Sequence, residues 1–317
     1  MKILANDGIS ESGMKALEQE GFEVNTTKVA QEQLINYINE NRIDVLLVRS
    51  ATQVRKDLIN ACPSLKIIGR GGVGMDNIDV EYAREKGLHI INTPAASSSS
   101  VAELVFAHLF SGVRFLYDAN RNMPLEGDSK FSVLKKAYAG GTELRGKTLG
   151  IIGFGKIGRE VAKIAIGLGM NIIVSDPFVN KTTLELKFYN GKTATFDITT
   201  QPQETVLREA DFITLHLPTQ KTHVVGEKEF QLMKDGVGII NAARGGIVDE
   251  TALIEALDSG KVAFAGLDVF ENEPQPAVKL LMHPKVSLSP HIGAATTEAQ
   301  ERIGTELATQ ITALMKK

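Results

Sequence analysis

The chain reads as an α/β protein with parallel sheets and two domains. Three observations carry that reading. Short β-branched runs alternate with helically spaced apolar residues from end to end. A glycine-rich turn joins one such run to a helix near the middle, and periodicity fades across residues 121–147. At 317 residues there is chain enough for two cores.

The first series predicts strands at residues 2–5, 44–48, 65–68 and 89–91, with helices at 11–20, 31–39 and 80–86. Four serines, Ser97 to Ser100, then supply an N-cap for the apolar stretch Val101-Ala102-Glu103-Leu104-Val105-Phe106, a helix able to cross between domains. Residues 121–147 read as a loop-rich arm. A second series predicts strands at 149–152, 172–175, 212–215, 237–240, 264–269 and 286–288. Within residues 184–196, Asn190-Gly191 favours a two-residue type I′ turn between arms at 187–189 and 192–194.

Composition excludes several classes. Apolar residues make up 43% and charged residues 23%, ordinary for a soluble domain, and a net charge of −3 gives no electrostatic case for nucleic acid or an anionic membrane. Cys62 is the only cysteine, so neither an intrachain disulfide nor a thiolate metal cluster is available, and no metal site is expected. No apolar run approaches the roughly 18–20 residues of a membrane span. The start of the chain is unlike a signal peptide, and a reducing cytoplasm is the expected location.

Gly153-Phe154-Gly155-Lys156-Ile157-Gly158 matches G-x-G-x-x-G, a weak signal alone. Context strengthens it. A strand precedes it, and Ile157, Val161, Ile164, Ala165 and Leu168 then share one helix face. The first glycine permits the turn, the second admits a pyrophosphate, and the third lets helix and strand close up. Asp176, at the end of the next strand, stands where an acid binds ribose hydroxyls; the competing reading is a loop-capping aspartate. Pro177-Phe178 offers no arginine for a 2′-phosphate, so NAD is favoured over NADP.

Ligands of a doubly wound sheet bind beyond the carboxyl ends of its strands. Those ends deliver Gly153, Asp176, His216-Leu217-Pro218, Ala243-Arg244, Asp268 and His291 to one rim. Histidine suits proton transfer near neutral pH, a carboxylate such as Glu273 fixes its tautomer, and arginine binds a carboxylate in bidentate fashion. His291, Glu273 and Arg244 together can hold a 2-hydroxy or 2-oxo acid and move a proton on it, with Gly245-Gly246 allowing close approach. A surface ion pair for Arg244 and a solvated loop acid for Glu273 are the competing readings. His89 and His108 read as structural, His223 and His283 as loop residues, and His216 as able to face the cofactor.

Several motifs together resemble the D-2-hydroxyacid dehydrogenase family over nearly the whole chain. They are Val48-Arg49-Ser50-Ala51-Thr52, Gly69-Arg70-Gly71-Gly72-Val73-Gly74-Met75-Asp76-Asn77, Asn92-Thr93-Pro94, Gly141-Thr142-Glu143-Leu144, the glycine turn, Asn241-Ala242-Ala243-Arg244-Gly245-Gly246-Ile247-Val248-Asp249-Glu250, Leu267-Asp268-Val269-Phe270-Glu271-Asn272-Glu273-Pro274 and Ser289-Pro290-His291-Ile292-Gly293-Ala294. The resemblance implies a catalytic set of Arg244, Glu273 and His291. It implies an NAD site lined by Gly153, Gly155, Lys156, Ile157, Gly158, Asp176, Leu217, Pro218, Ala243, Asp268, Gly293 and Ala294. Residues 1–97 with 291–317 would form a flavodoxin-like substrate domain, and 98–290 a doubly wound Rossmann NAD domain, with a cleft closing over substrate. Homodimers joined through NAD domains are implied, with an arm around 121–145 contributing.

The activity implied is NAD-dependent oxidation of 3-phospho-D-glycerate to 3-phosphohydroxypyruvate, the first step of serine synthesis. Reduction of unphosphorylated 2-oxo acids such as glyoxylate or hydroxypyruvate is the alternative within the family; a non-catalytic NAD sensor binding a protein partner is the alternative outside it. For a phosphorylated substrate, Arg49, Ser50, Val73 and Gly74 are the expected contacts beside Arg244 and His291. Lys135 or Lys136 would be the basic residue of the arm, surface solvation being their ordinary explanation. Val73 departs from the threonine frequent in similar proteins. With the sequence ending at Lys317, serine feedback through a C-terminal regulatory domain is not expected.

Overall fold

The β-branched runs form parallel strands because each is apolar on both faces and needs helices to cover it. The computed structural model describes residues 1–315, which divide into two units: Met1–Ser100 with the segment from Ala294 onward, and Val101–Gly293. The divide falls after Ser100 and Gly293 rather than after residues 97 and 290. His291 therefore stays with the second unit, where the Asp268 carboxylate holds the backbone that follows it.

The first unit opens with β1 (Lys2–Ala5), α1 (Glu11–Gln19), β2 (Glu23–Asn25), α2 (Leu34–Asn41), β3 (Val45–Val48), α3 (Lys56–Ala61), β4 (Ile67–Arg70), α4 (Val80–Glu85) and β5 (His89–Asn92). α5 (Ser98–Val113) follows, then α6 (Leu116–Glu126) and α7 (Phe131–Ala137). The second unit continues through β6 (Thr148–Ile152), α8 (Lys156–Gly167), β7 (Asn171–Ser175), β8 (Lys181–Lys187), β9 (Thr193–Thr199), α9 (Gln203–Glu209), β10 (Phe212–Leu215), α10 (Glu227–Leu232), β11 (Val237–Asn241), α11 (Glu250–Ser259), β12 (Val262–Leu267), α12 (Val278–Leu281) and β13 (Val286–Leu288); α13 (Thr297–Met315) returns to the first.

In the first unit the strand order is β2-β1-β3-β4-β5, all parallel, the order of a flavodoxin-like sheet. Side chains alternate across it. Ile3, Val45 and Ile67 pack with Ile303, Leu307 and Ile311 of α13, while Leu4, Leu46 and Ile68 pack with Leu34, Ile38 and Leu58. α13 lies close on α1: a Cβ at Gly13 would come within 2.6 Å of the Gly304 backbone.

In the second unit the order is β13-β12-β11-β10-β6-β7, again all parallel, and it reverses between β6 and β10. Leu149 and Ile151 meet Val161 and Ala165 of α8 and Val105 and Leu109 of α5; Ile213, Leu215 and Ile239 meet Val206, Phe230, Leu253 and Leu257 on the other face. Among the described residues no single helix is long and apolar enough to cross a membrane.

Two local expectations are corrected. Residues 121–147 contain the end of α6 and all of α7, with loop between and after them; the two helices are pinned together by the Tyr138 hydroxyl, which donates to Asp118 and accepts from Asn122. No residue of α6 is buried, so its apolar positions have no face to mark and the period is hidden. The hairpin at Asn190-Gly191 is longer than expected, β8 pairing with β9 from Lys187↔Thr193 to Lys181↔Thr199. Gly191 is left-handed at φ 77° but Asn190 is not, and the Gly191 N–H bonds the Phe188 carbonyl, so the connection is a three-residue loop rather than a type I′ pair.

Two loops at the carboxyl edge of the second sheet are locked to each other. The Glu250 carboxylate, buried at the start of α11, accepts the Glu271 N–H at 2.8 Å, and the Glu271 carboxylate accepts the Glu250 N–H at 3.1 Å. His223 bridges from Glu271 (3.3 Å) to Asp249 (3.5 Å), the N-cap of α11. Burial pushes the Glu250 carboxyl above its usual range; the Glu271 N–H opposes this, and the Glu271 and Glu273 carboxylates add to it. The folded state thus holds this proton more tightly than the unfolded chain, and it loses stability as pH rises through the raised value. Glu250→Gln is expected to raise the Tm at pH 8 by roughly 2–4 °C, from about 1 kcal/mol of relieved charge burial. The gain should vanish as pH falls and wild-type Glu250 takes up its proton. Thermal melts across that range check it; a destabilised variant at pH 8 would contradict the sign.

Candidate active site

β6 ends at Ile152, and Gly153 turns the chain with φ 95°. A Cβ at Gly153 would strike the His216 carbonyl, and one at Gly158 would strike the Gly153 carbonyl. Both glycines are thus demanded by close packing of strand, turn and helix. Gly155, the N-cap of α8, differs: a Cβ there would meet nothing within 4 Å, and no side chain caps the helix. The first N–H groups of a twelve-residue helix thus have no capping side chain, and the N-cap leaves room beside them, the arrangement an anion needs. Lys156 is exposed beside them and Ile157 is half-buried against the core.

Asp176 follows β7 and is fixed to the same turn. Its Oδ2 accepts the Phe154 N–H at 2.7 Å and its Oδ1 the Phe178 N–H at 2.8 Å. Each oxygen spends one lone pair this way, so the aspartate caps its loop and retains acceptor capacity for a sugar diol. Leu217 packs near Gly153, and Pro218 lies exposed beyond it. Burial pushes the His216 imidazole down to about 3, which keeps it neutral; Nε2 meets the Thr214 hydroxyl at 3.1 Å, and Nδ1 is buried without a hydrogen-bond partner. These residues fit a dinucleotide laid across the point where the strand order reverses.

Arg244, Glu273 and His291 all leave strands at this edge. Asn241 organises the first loop: its amide donates to the Arg244 carbonyl at 2.9 Å and its Oδ1 accepts the Ala243 N–H at 3.1 Å. The Arg244 guanidinium reaches the Ala243 carbonyl at 2.6 Å. Gly245 is pressed on the Phe270 carbonyl, where no Cβ fits. Glu273 is oriented by the Phe270 N–H, which donates to Oε1 at 3.0 Å, and its Oε2 lies 2.7 Å from His291 Nδ1. Both side chains stay accessible, His291 at 41% and Glu273 at 35%. With a carboxylate on Nδ1, that nitrogen carries the proton and Nε2 presents its lone pair outward.

His291 takes a left-handed φ of 55°, and no local motif indicates what holds it there. Asp268 does so. Only 1% exposed, it accepts the N–H groups of Ile292 and Gly293, both at 2.8 Å. A Cβ at Gly293 would press on Asp268 Oδ2 at 3.1 Å. Ala294, just past the divide, accepts a bond from Gln300 at its carbonyl. His223, Asp249 and Glu271 bring ligand atoms within 4.8 Å of one another, but both imidazole nitrogens of His223 already face the two acids.

In the first unit, Arg49 follows β3 and lines a cavity of about 290 Å³ with Asn6, Asp7, Thr26, Lys28 and Ser50. Asp7 is not free to neutralise a ligand. Its carboxylate accepts the Arg49 N–H at 2.7 Å, the Thr52 N–H at 3.2 Å and the Thr52 hydroxyl at 2.8 Å. Asn77 donates to the Arg49 and Thr52 carbonyls and closes the loop from beneath. Sequence reasoning missed Lys28, which lies outside every motif. Val73 and Gly74 lie on the loop after β4, where the Val73 carbonyl accepts the Asn92 amide at 2.8 Å. Lys135 and Lys136 are exposed on the last turn of α7.

Residues 106–293 match the model of the D-isomer specific 2-hydroxyacid dehydrogenase NAD binding domain. The chain is 44% identical to the hydroxypyruvate reductase of Thermotoga maritima, over 98% of this chain and 97% of that one. It is 43% identical to the D-3-phosphoglycerate dehydrogenase of Methanocaldococcus jannaschii, over 100% of this chain but 58% of that one. It thus spans a little over half the length of the D-3-phosphoglycerate dehydrogenases it matches. Among solved structures, the glyoxylate reductase from Paecilomyes thermophila superposes with a TM-score of 0.83 at 31% identity, covering 100% of this chain and 95% of that one. By motif, fold and identity along its length, the chain belongs to the D-isomer specific 2-hydroxyacid dehydrogenase family.

Proposed function

We propose that the chain oxidises a D-2-hydroxy acid with NAD, and that its substrate is 3-phospho-D-glycerate. The observation that carries the chemistry is the His291 Nδ1–Glu273 Oε2 contact of 2.7 Å, at the sheet edge that also bears the glycine turn. NAD, when bound, supplies the hydride acceptor. His291 takes the C2 hydroxyl proton at Nε2, while Glu273 holds Nδ1–H and balances the charge that develops on the ring. Arg244 binds the substrate carboxylate, and the acid at Asp176 favours NAD over its 2′-phosphorylated form. Gly153, Gly155 and Gly158 with Lys156 and Ile157 take the pyrophosphate side, and Leu217, Pro218, Ala243, Asp268, Gly293 and Ala294 the remainder of the cofactor.

The phosphate assignment is supported by the cavity beside Arg49. Two cations, Arg49 and Lys28, line it, and its one carboxylate, Asp7, is already engaged by three donors. Hydroxypyruvate reduction is the second reading, favoured by the full-length match to a hydroxypyruvate reductase. It needs the same trio and no phosphate partner. A homodimer is proposed through α6 and α7, which expose Leu116, Met123, Leu125, Phe131 and Val133, a patch that water does not favour. Its proposed address is a reducing cytoplasm.

Arg49→Ala should raise KM for 3-phosphoglycerate by about 10–100-fold, the worth of a charge-assisted phosphate contact, and leave glyoxylate and hydroxypyruvate nearly unaffected. Steady-state kinetics on each acid checks this, and equal losses would remove Arg49 from the phosphate. His291→Asn keeps a residue that tolerates a left-handed backbone, so its fold should survive while kcat drops about 10²–10⁴-fold. Full turnover by that protein would eliminate the assigned base. Light scattering should give twice the chain mass, and Leu125→Glu with Val133→Glu should return the protein to one chain; a wild-type monomer would refute the dimer.

A further inference from the structure

His108 lies on α5, in a stretch that reads as apolar core, and is only 4% exposed. Both ring nitrogens nevertheless have partners more than 170 residues away in sequence: Nδ1 lies 2.9 Å from the Ser287 hydroxyl and Nε2 lies 2.8 Å from that of Ser289. Ser289 in turn donates to Asp268 Oδ1 at 2.6 Å. Asp268 therefore receives three hydrogen bonds, from Ser289, Ile292 and Gly293, the last two immediately following the left-handed residue His291. The ring is seated firmly, since a Cβ at Gly266 of β12 would meet the His108 Cβ at 2.6 Å.

The direction of each proton follows from the carboxylate. Asp268 accepts at both oxygens, so the single hydroxyl hydrogen of Ser289 points to it. Ser289 can then only accept from His108, which requires hydrogen on Nε2. Nδ1 is left with its lone pair, and Ser287 donates to it. Burial pushes the His108 imidazole below its usual value, against the opposing charge of Asp268, in keeping with a neutral ring. We propose that His108, as the neutral Nε2–H tautomer, is a positioning residue that fixes Ser289 and Asp268 and thereby the turn presenting His291. Its effect on turnover rests on His291 being the base; its effect on the turn does not.

The test begins with nitrogen-15 NMR of the imidazoles, tractable because the chain has six histidines. His108 should show a protonated Nε2 and a bare Nδ1, unchanged between about pH 6 and pH 8, where an ordinary histidine titrates. A charged ring or the Nδ1–H tautomer would overturn the inference. Ser289→Ala should shift the backbone amide signals of Ile292 and Gly293 and lower kcat about tenfold with little change in KM, as a misplaced reacting group does. His108→Phe should behave likewise, and His108→Gln, whose amide can donate where Nε2 did, should restore most of the rate. Unmoved Ile292 and Gly293 amides, or wild-type kcat in Ser289→Ala, would sink the positioning role. Failure of the base assignment would show separately, as a fully active His291→Asn protein.

Discussion

Parallel pairing is the constraint on which the second unit depends. Once β6, β7, β10, β11, β12 and β13 run the same way, each must hand its chain to the next crossover at one edge. Gly153, Asp176, His216, Arg244, Asp268 and His291 all lie within a few residues of those exits. The edge also collects the N-terminus of α8, so it carries partial positive charge before any side chain is considered. The reversal of strand order between β6 and β10 sends successive helices to opposite faces and leaves a gap that they do not cover.

An edge of this kind is rich in backbone polar groups, and side chains must satisfy those that are buried. Glu250, Asp268 and Asp176 do this by bonding main-chain N–H groups of loops that leave neighbouring strands, and Asn241 does it within its own loop. The carboxylate oxygens of Glu250, Asp268 and Asp176 are among the stronger acceptors, at roughly 1.5–3 kcal/mol per bond. That is enough to hold His291 in a left-handed conformation costing about 1–2 kcal/mol.

What sequence alone revealed follows the same physics. Strands buried on both faces are continuous apolar runs, and all ten expected strands are present, their ends shifted by a few residues. β2 is missed because Glu23-Val24-Asn25 is short and polar, and α3 because its buried residues, Leu58 and Ile59, are adjacent and show no helical spacing. The hairpin arms were underestimated since Thr and Glu alternate with Leu184 and Leu186, and only the leucines are buried. The candidate trio could be read because its residues follow strand ends at spacings a motif preserves. Lys28, Glu250 with Glu271, and the bonds of His108 could not, because their partners lie on other elements and no local pattern announces them.

The contact between His291 and Glu273 is itself a poor source of structure. Both side chains are more than a third exposed, and such pairs contribute only about 0–1 kcal/mol. Its geometry must therefore be imposed from beneath. Glu273 is aimed by the Phe270 N–H, on a loop that Gly245 and the Glu250–Glu271 exchange clamp from the neighbouring strand exit. His291 is aimed by Asp268, backed by Ser289 and His108. Two polar assemblies thus converge on one exposed pair, each ordering a different partner. Neither needs the pair in order to form. It follows that the pair can exchange protons with solvent or substrate while its supporting bonds stay intact, which is what a reacting acid–base couple on a rigid frame requires.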